Sequence, residues 1–300
     1  MQQRDSFSSY HPCINFIYFG LVILFSMFFM HPVCLCISLG CSFCYAINLK
    51  GRKALRLGMI YMLPMMLMAA LINPAFNHKG ATLLTYLPSG NPLTMESIVY
   101  GVAAAIMLGA VITWFMCYTE VMTSDKFVYL FGRVIPALSL VLSMTLRFVP
   151  KFKTQLHIVT EAQRSIGRDI SEGSLLSRTK NAVNILSIMV TWALENAIET
   201  ADSMKSRGYG LPGRTAFSIY NFDKRDKLAL FWLIFCGIYI IIGHFIGALY
   251  FNYYPVLIAS KLSAFNISVL LVYLLLCLTP VIINKTEERK WQQLQLQTKA

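Results

Sequence analysis

Residues 6–49 read SFSSYHPCINFIYFGLVILFSMFFMHPVCLCISLGCSFCYAINL and contain no Asp, Glu, Lys or Arg. A bilayer crossing needs about 20 mostly apolar residues. This run is long enough for two, divided near His31 and Pro32. Residues 97–119, 228–260 and 262–284 also lack those four residue types, and each can hold one helix. Leu57 to Asn73 is apolar but shorter, with Pro64 inside it, and proline is tolerated in membrane helices. The sequence therefore predicts an all-α polytopic membrane protein with about six transmembrane helices, near 14–30, 32–49, 57–73, 97–118, 228–250 and 264–284. Composition agrees: 56% of residues are hydrophobic, 13% are charged and mean hydropathy is +0.58. Soluble domains carry about 25% charged residues. The first span is too long-flanked, and its N-terminal side too weakly charged, for a cleaved signal peptide.

Lys and Arg in the loops set the expected orientation. NLKGRKALR, 48–56, carries Lys50, Arg52, Lys53 and Arg56 and is expected inside. The loops 74–96 and 251–263 carry one basic residue each, Lys79 and Lys261, and are expected outside. Residues 119–227 hold 15 Lys or Arg against 10 Asp or Glu, and belong inside with the tail from Lys285. This gives an N-terminal membrane region over residues 1–118, a cytoplasmic segment 119–227, two spans in 228–284 and a tail 285–300, with both termini cytoplasmic. The net charge of +12 is then explained by topology and anionic lipid rather than nucleic acid.

Cys34, Cys36, Cys41 and Cys44 form C-x-C-x4-C-x2-C inside the second span. A metal site needs thiolates and a polar second shell, which hydrocarbon does not supply, so apolar packing is the expectation. Neither a metal nor a cofactor is predicted.

The segment 119–227 is too polar to span and too periodic for a loop. FVYLFGRVIPALSLVLSMTLRFVPKF, 127–152, reads as a helix along the inner membrane surface, bent or ended by Pro150, with spanning as the alternative. Leu156, Val159, Ala162, Ile166 and Ile170 then recur at helical spacing, which would place Arg164 and Arg168 on one face. A third helix is expected from about Leu175 to Ser206 and is stopped by Gly208 and Gly210. Its middle, AVNILSIMVTWAL, is apolar on nearly every side and must be buried against something. Arg is suited to bidentate pairing at interfaces. The plainer reading is that these arginines meet lipid or complement helix C-terminal dipoles.

Four motifs resemble one family. NPAFNHKGATLLTYL (73–87) is similar to its N-P…H-x-G-x-T pattern, and NPLTMESIVYG (91–101) to its P-x-T-x-E-S segment. LRFVP (146–150) is similar to L-R-F-[IV]-P, and ALENAIETADSMKSRGYGLPGRTAF (193–217) to an arginine signature with its flanks. Their order and spacing resemble the transmembrane T component of energy-coupling factor (ECF) transporters, prokaryotic importers of vitamins and transition-metal ions. The resemblance implies two ATPase subunits, alike or different, docked on two arginine-bearing helix ends. It also implies a small substrate-binding membrane subunit resting on a hydrophobic platform, and location in the cell membrane. Carried over, Ser206, Arg207 and Gly208 form the second docking motif. The family often reads A-Q-x-x-R-G at the first, where this chain has Ala162, Gln163, Arg164, Ser165, Ile166 and Gly167. Ile166 replaces the arginine, leaving Arg164, within Gln163-Arg164-Ser165, or Arg168 for the role. Platform candidates are Leu138, Leu142, Met144, Ala182, Ile185, Met189, Val190 and Trp192. His78 in the outer loop is expected to be structural.

The chain is not expected to be an enzyme. No G-x-x-x-x-G-K-[ST] or G-x-S-x-G occurs, and His11, His31, His78, His157 and His244 fall in separate loops and helices. A self-sufficient secondary transporter is the main rival, but such folds often show internal repeats, and none is visible here.

Overall fold

The computed structural model describes residues 5–51, 54, 56, 58–77, 79–86, 92–132, 136–211, 220–260 and 263–299. It is an all-α architecture. The chain divides into two compact units, Met1–Thr123 with Tyr220–Ala300, and Ser124–Ile219.

In the first unit, helices α1 (Pro12–Phe28) and α2 (Pro32–Lys50) come from the opening uncharged run. Each begins with proline, whose missing N–H costs nothing in a first turn. Helix α3 (Leu63–Phe76) follows a π-helical turn at Gly58–Met62. Pro64 therefore sits in the first turn of α3 rather than interrupting it, and the helix continues past Asn73 through Pro74. Helix α4 (Met95–Val121) completes the N-terminal set. Later come α8 (Lys224–Phe245) and α9 (Ala264–Lys299). Asp223 and Asp226 form a reciprocal capping box that starts α8. Helix α9 runs on to Lys299, so most of the expected tail is helical.

Four of these helices are long and apolar enough to cross a membrane: Pro32–Lys50, Met95–Val121, Lys224–Phe245 and Ala264–Gln295. Pro12–Phe28 and Ile60–Phe76 are shorter apolar helices. The core of the unit is aromatic, with Phe7, Tyr18, Phe19, Tyr45, Trp114 and Tyr273 buried. Its polar atoms are paired across helices. Trp114 Nε1 donates to Ser38 Oγ at 2.9 Å, and Tyr18 OH to the Cys277 carbonyl at 3.0 Å. Such pairing is required where no water can solvate a buried donor. On α2, Cys34 and Cys41 are buried while Cys36 and Cys44 are exposed, so the four thiols do not converge.

Two short antiparallel ladders lie in loops, β1 (Leu83–Tyr86) with β2 (Pro92–Thr94), and β3 (Phe251–Asn252) with β4 (Ile258–Ala259). The Thr82 hydroxyl donates to Glu96 Oε2 at 2.8 Å, and Met95 N–H donates to the Thr82 carbonyl at 3.1 Å. A Cβ on Gly80 would come 2.5 Å from Glu96 Oε2. The G-x-T and T-x-E-S motifs are thus two halves of one clamp. Asn77 Nδ2 donates to Tyr254 OH at 3.1 Å, tying in the β3–β4 loop. His78 lies outside the described residues.

The second unit contains α5 (Ser124–Gly132), α6 (Pro136–Ser165) and α7 (Leu175–Ser206). Of the stretch 127–152 expected to form one helix, α5 covers the part up to Gly132 and α6 the part from Pro136, and residues 133–135 lie outside the described residues. Pro150 does not end α6, which runs through it. An interior proline removes one backbone bond, and the turns on either side hold.

Candidate functional site

The two arginine-bearing helix ends have the same backbone construction. At the end of α6, Gly167 has φ +77°; at the end of α7, Gly208 has φ +73°. In the first, Arg168 N–H donates to the Gln163 carbonyl at 2.9 Å and Gly167 N–H to the Arg164 carbonyl at 3.0 Å. In the second, Tyr209 N–H donates to the Met204 carbonyl at 3.0 Å and Gly208 N–H to the Lys205 carbonyl at 2.9 Å. Both are Schellman motifs, whose left-handed residue favours glycine.

Matching the two motifs atom for atom pairs Gln163 with Met204, Arg164 with Lys205, Ser165 with Ser206 and Ile166 with Arg207. Gly167 pairs with Gly208, and Arg168 with Tyr209. Arg207 is exposed as the last residue before the glycine. The corresponding residue of the first end is Ile166, 63% exposed. Arg164 and Arg168 do not share a helix face, because α6 stops at Ser165 and Gly167 reverses the chain between them. The apolar spacing that suggested a longer helix has another cause: Ile170 folds back to pack on the cluster of Val159, Ile185 and Met189.

Asp169, which sequence reasoning missed, organises the first end. Its Oδ2 pairs with Arg164 Nε at 3.0 Å, its Oδ1 accepts from Ser171 N–H at 2.9 Å, and its carbonyl accepts from Asn181 Nδ2 at 3.0 Å. Arg178 Nε donates to the Ile170 carbonyl at 2.7 Å, bracing the same loop on the first turn of α7. Hydrogen bonds from the Ser171 N–H and hydroxyl outweigh partial desolvation and, with Arg164, hold the Asp169 carboxyl below the usual range. Arg168 is exposed, and its side chain forms no ion pair among the described residues. The Gln163 side-chain oxygen is enclosed without a hydrogen-bond partner among the described residues.

Helices α6 and α7 pack antiparallel. Val159 meets Ile185 and Met189; further along, the Phe152 and Trp192 rings lie edge to face at 5.2 Å, and Lys151 Nζ donates to Asn196 Oδ1 at 2.6 Å. Of the expected platform residues, Ile185 and Met189 are buried in that seam and Trp192 packs beside it. Ala182, Leu142 and Met144 are half-buried, and the side chain of Leu138 lies outside what is described. Val190 is exposed. It belongs to a stripe on the opposite side of α7, with Leu176, Val183, Leu186, Leu194 and Ile198, all exposed. Spacings of three, four and seven put these on one face. At about 1.5 Å per residue, the 32 residues of α7 span about 48 Å, with one Schellman end beyond Ser206 and the other braced on the first turn.

Fold and site together define a class: a multi-pass, all-α membrane protein carrying a separate helical unit with two matched, solvent-facing helix ends. The chain belongs to the CbiQ family, described as cobalt transport protein, whose profile matches residues 4–217. It is also similar to the "Energy-coupling factor transporter transmembrane protein EcfT" of several bacteria. The match to the Lactobacillus helveticus protein is 39% identical over 98 residues, 32% of this chain and 35% of that one. The match to the Lactococcus lactis protein is 34% identical over 106 residues, 35% of this chain and 40% of that one. The match to the Staphylococcus aureus protein is 33% identical over 98 residues, 32% of this chain and 37% of that one. The matched segments thus span little more than a third of these relatives.

Proposed function

We propose that this chain is the coupling subunit of an ECF-type importer, seated in a prokaryotic cell membrane with both termini in the cytoplasm. The observation that carries this reading is the pair of matched helix ends at opposite ends of α7. A small domain is about 30 Å across, so points one α7 length apart, about 48 Å, suit two separate partner subunits better than one. The partners are two ATPase subunits. Arg207 with Ser206 and Gly208 enters one, and the end formed by Gln163, Arg164, Ser165 and Arg168 enters the other. ATP binding draws the ATPases together, and α6 and α7 carry that motion as stiff levers.

The apolar stripe from Leu176 to Ile198 is the surface for a small substrate-binding membrane subunit, which selects the vitamin or metal ion. This assignment moves the platform away from Ile185 and Met189, because the seam with α6 occupies them. Hydrolysis belongs to the partners. The test is cargo uptake by membranes containing the chain with its ATPases and substrate subunit. Arg207→Glu is expected to abolish uptake while the variant still inserts. Unchanged uptake with both Arg207→Glu and Arg164→Glu overturns the reading.

A further inference from the structure

Two of the loops between helices carry apolar side chains that no core accounts for. The uncharged run 228–260 outlasts α8, which ends at Phe245, and residues 80–95 are equally free of Asp, Glu, Lys and Arg. Leu83, Leu84 and Tyr86 of β1 are exposed, and so are Val256, Leu257 and Ile258 at the start of β4. No face of β1 is packed against the protein, since all four of its side chains are exposed. The two loops are tied together. Ala81 N–H donates to the Pro255 carbonyl at 3.1 Å, beside the bond from Asn77 to Tyr254. Tyr253 OH donates to the Met30 carbonyl at 2.7 Å, which puts the α1–α2 link at the same end of the bundle.

We propose that these two loops form an apolar ridge seated in the interfacial layer of the bilayer, in the leaflet away from Lys50. The partner of this surface is lipid. Continuity with the spans carries the assignment. Phe76 and Phe245, the last residues of α3 and α8, are 82% and 84% exposed, and Ile246 and Tyr250 extend that surface into the second loop. The apolar surface of the spans thus runs on into both loops. Among the described residues of 77–95 and 246–260, Lys79 is the one charged side chain, and its long stem reaches head groups from an apolar surface. A docked protein would cover one side of β1; a lipid layer surrounds it, as four exposed side chains require. The backbone limits the depth. Ladders of three and two residue pairs leave strand edges unpaired, which hydrocarbon does not tolerate. The ridge therefore rests at the boundary of head groups and acyl chains, about 5–10 Å deep. There Tyr86 and Tyr250 place their rings among apolar groups and their hydroxyls toward water.

This inference rests on the multi-pass fold and not on the coupling reading, so the two stand or fall separately. The test uses the full chain in phosphatidylcholine vesicles, with Leu84→Trp and Leu257→Trp as separate reporters. The added emission is read as the difference from the wild-type chain, which has four Trp. Both positions are exposed, so the helix content of each variant should match wild type, and either reporter tests the same ridge if the other fails to fold. The added emission is expected to be blue-shifted and quenched about twofold or more by lipid brominated near the head group. Lipid brominated near the chain end should quench it less, and aqueous iodide on both sides should have little effect. Full quenching by iodide with none by either brominated lipid places the loops in water and overturns the proposal. The measurement is repeated with the substrate subunit bound, where quenching by brominated lipid is expected to persist. Its loss there would make a protein the occupant and equally overturn the proposal.

Discussion

Gly167 and Gly208 decide where the two helix ends point, and the two make different demands. A Cβ at Gly167 would meet nothing within 4 Å, so Gly167→Ala carries only the left-handed backbone cost of about 1–2 kcal/mol. A Cβ at Gly208 would lie 3.0 Å from Leu211 Cδ1, so Gly208→Ala adds crowding to that strain. Hydrogen exchange should rise at the Arg168 and Tyr209 amides respectively, and more for the second variant. Asp169 gives a pH signature at the same scale. Its carboxyl pKa is depressed in the folded chain, so its contribution is complete above the unfolded value near 3.9 and is lost as pH falls through the lower folded value. Protection of the Ser171 amide is expected to hold at pH 5 and collapse on stronger acidification. In Asp169→Asn it should be weakened at every pH. The glycine stop after Arg207 was legible in the sequence. The stop after Ile166 was not, because Ile170 keeps the helical spacing of apolar residues while reaching the same core from a loop.

Helix α7 has two apolar faces with different partners. Ile185 is 2% exposed, so Ile185→Ala removes packing against Val159 and is expected to destabilise the α6–α7 unit by about 2–4 kcal/mol, read by thermal melting. Leu186, one residue on, lies on the open stripe. Leu186→Asp is expected to leave that melt unchanged while the substrate subunit is lost from the purified complex. Periodicity showed that the middle of α7 is apolar all round and must be covered. It did not show which side covers against α6, because that depends on the seam from Val159 to Lys151, formed by residues distant in sequence. Proline placement misled for a related reason. Pro64 was read as an interior proline of a span and Pro150 as a bend or an end, but one falls in a first turn and the other is carried within a long helix.

For the whole molecule, long uncharged runs announced the spans, since nothing but a bilayer rewards so many consecutive apolar residues. The loops were less legible. Thr82 and Glu96 each look ordinary alone; their meaning is the clamp they form together over Gly80. Gly80→Ala is expected to open that clamp and make residues 79–94 of the purified chain more sensitive to protease, with the helices retained. The central claim concerns the solvent-facing ends of α6 and α7, and it is tested most directly by pulling down the tagged chain from cells that also make its ATPases. Wild-type chain is expected to bring two ATPase chains, and Arg207→Glu to lose at least one of them at equal membrane insertion. Full recovery of both with Arg207→Glu, and again with Arg164→Glu added, would contradict the account.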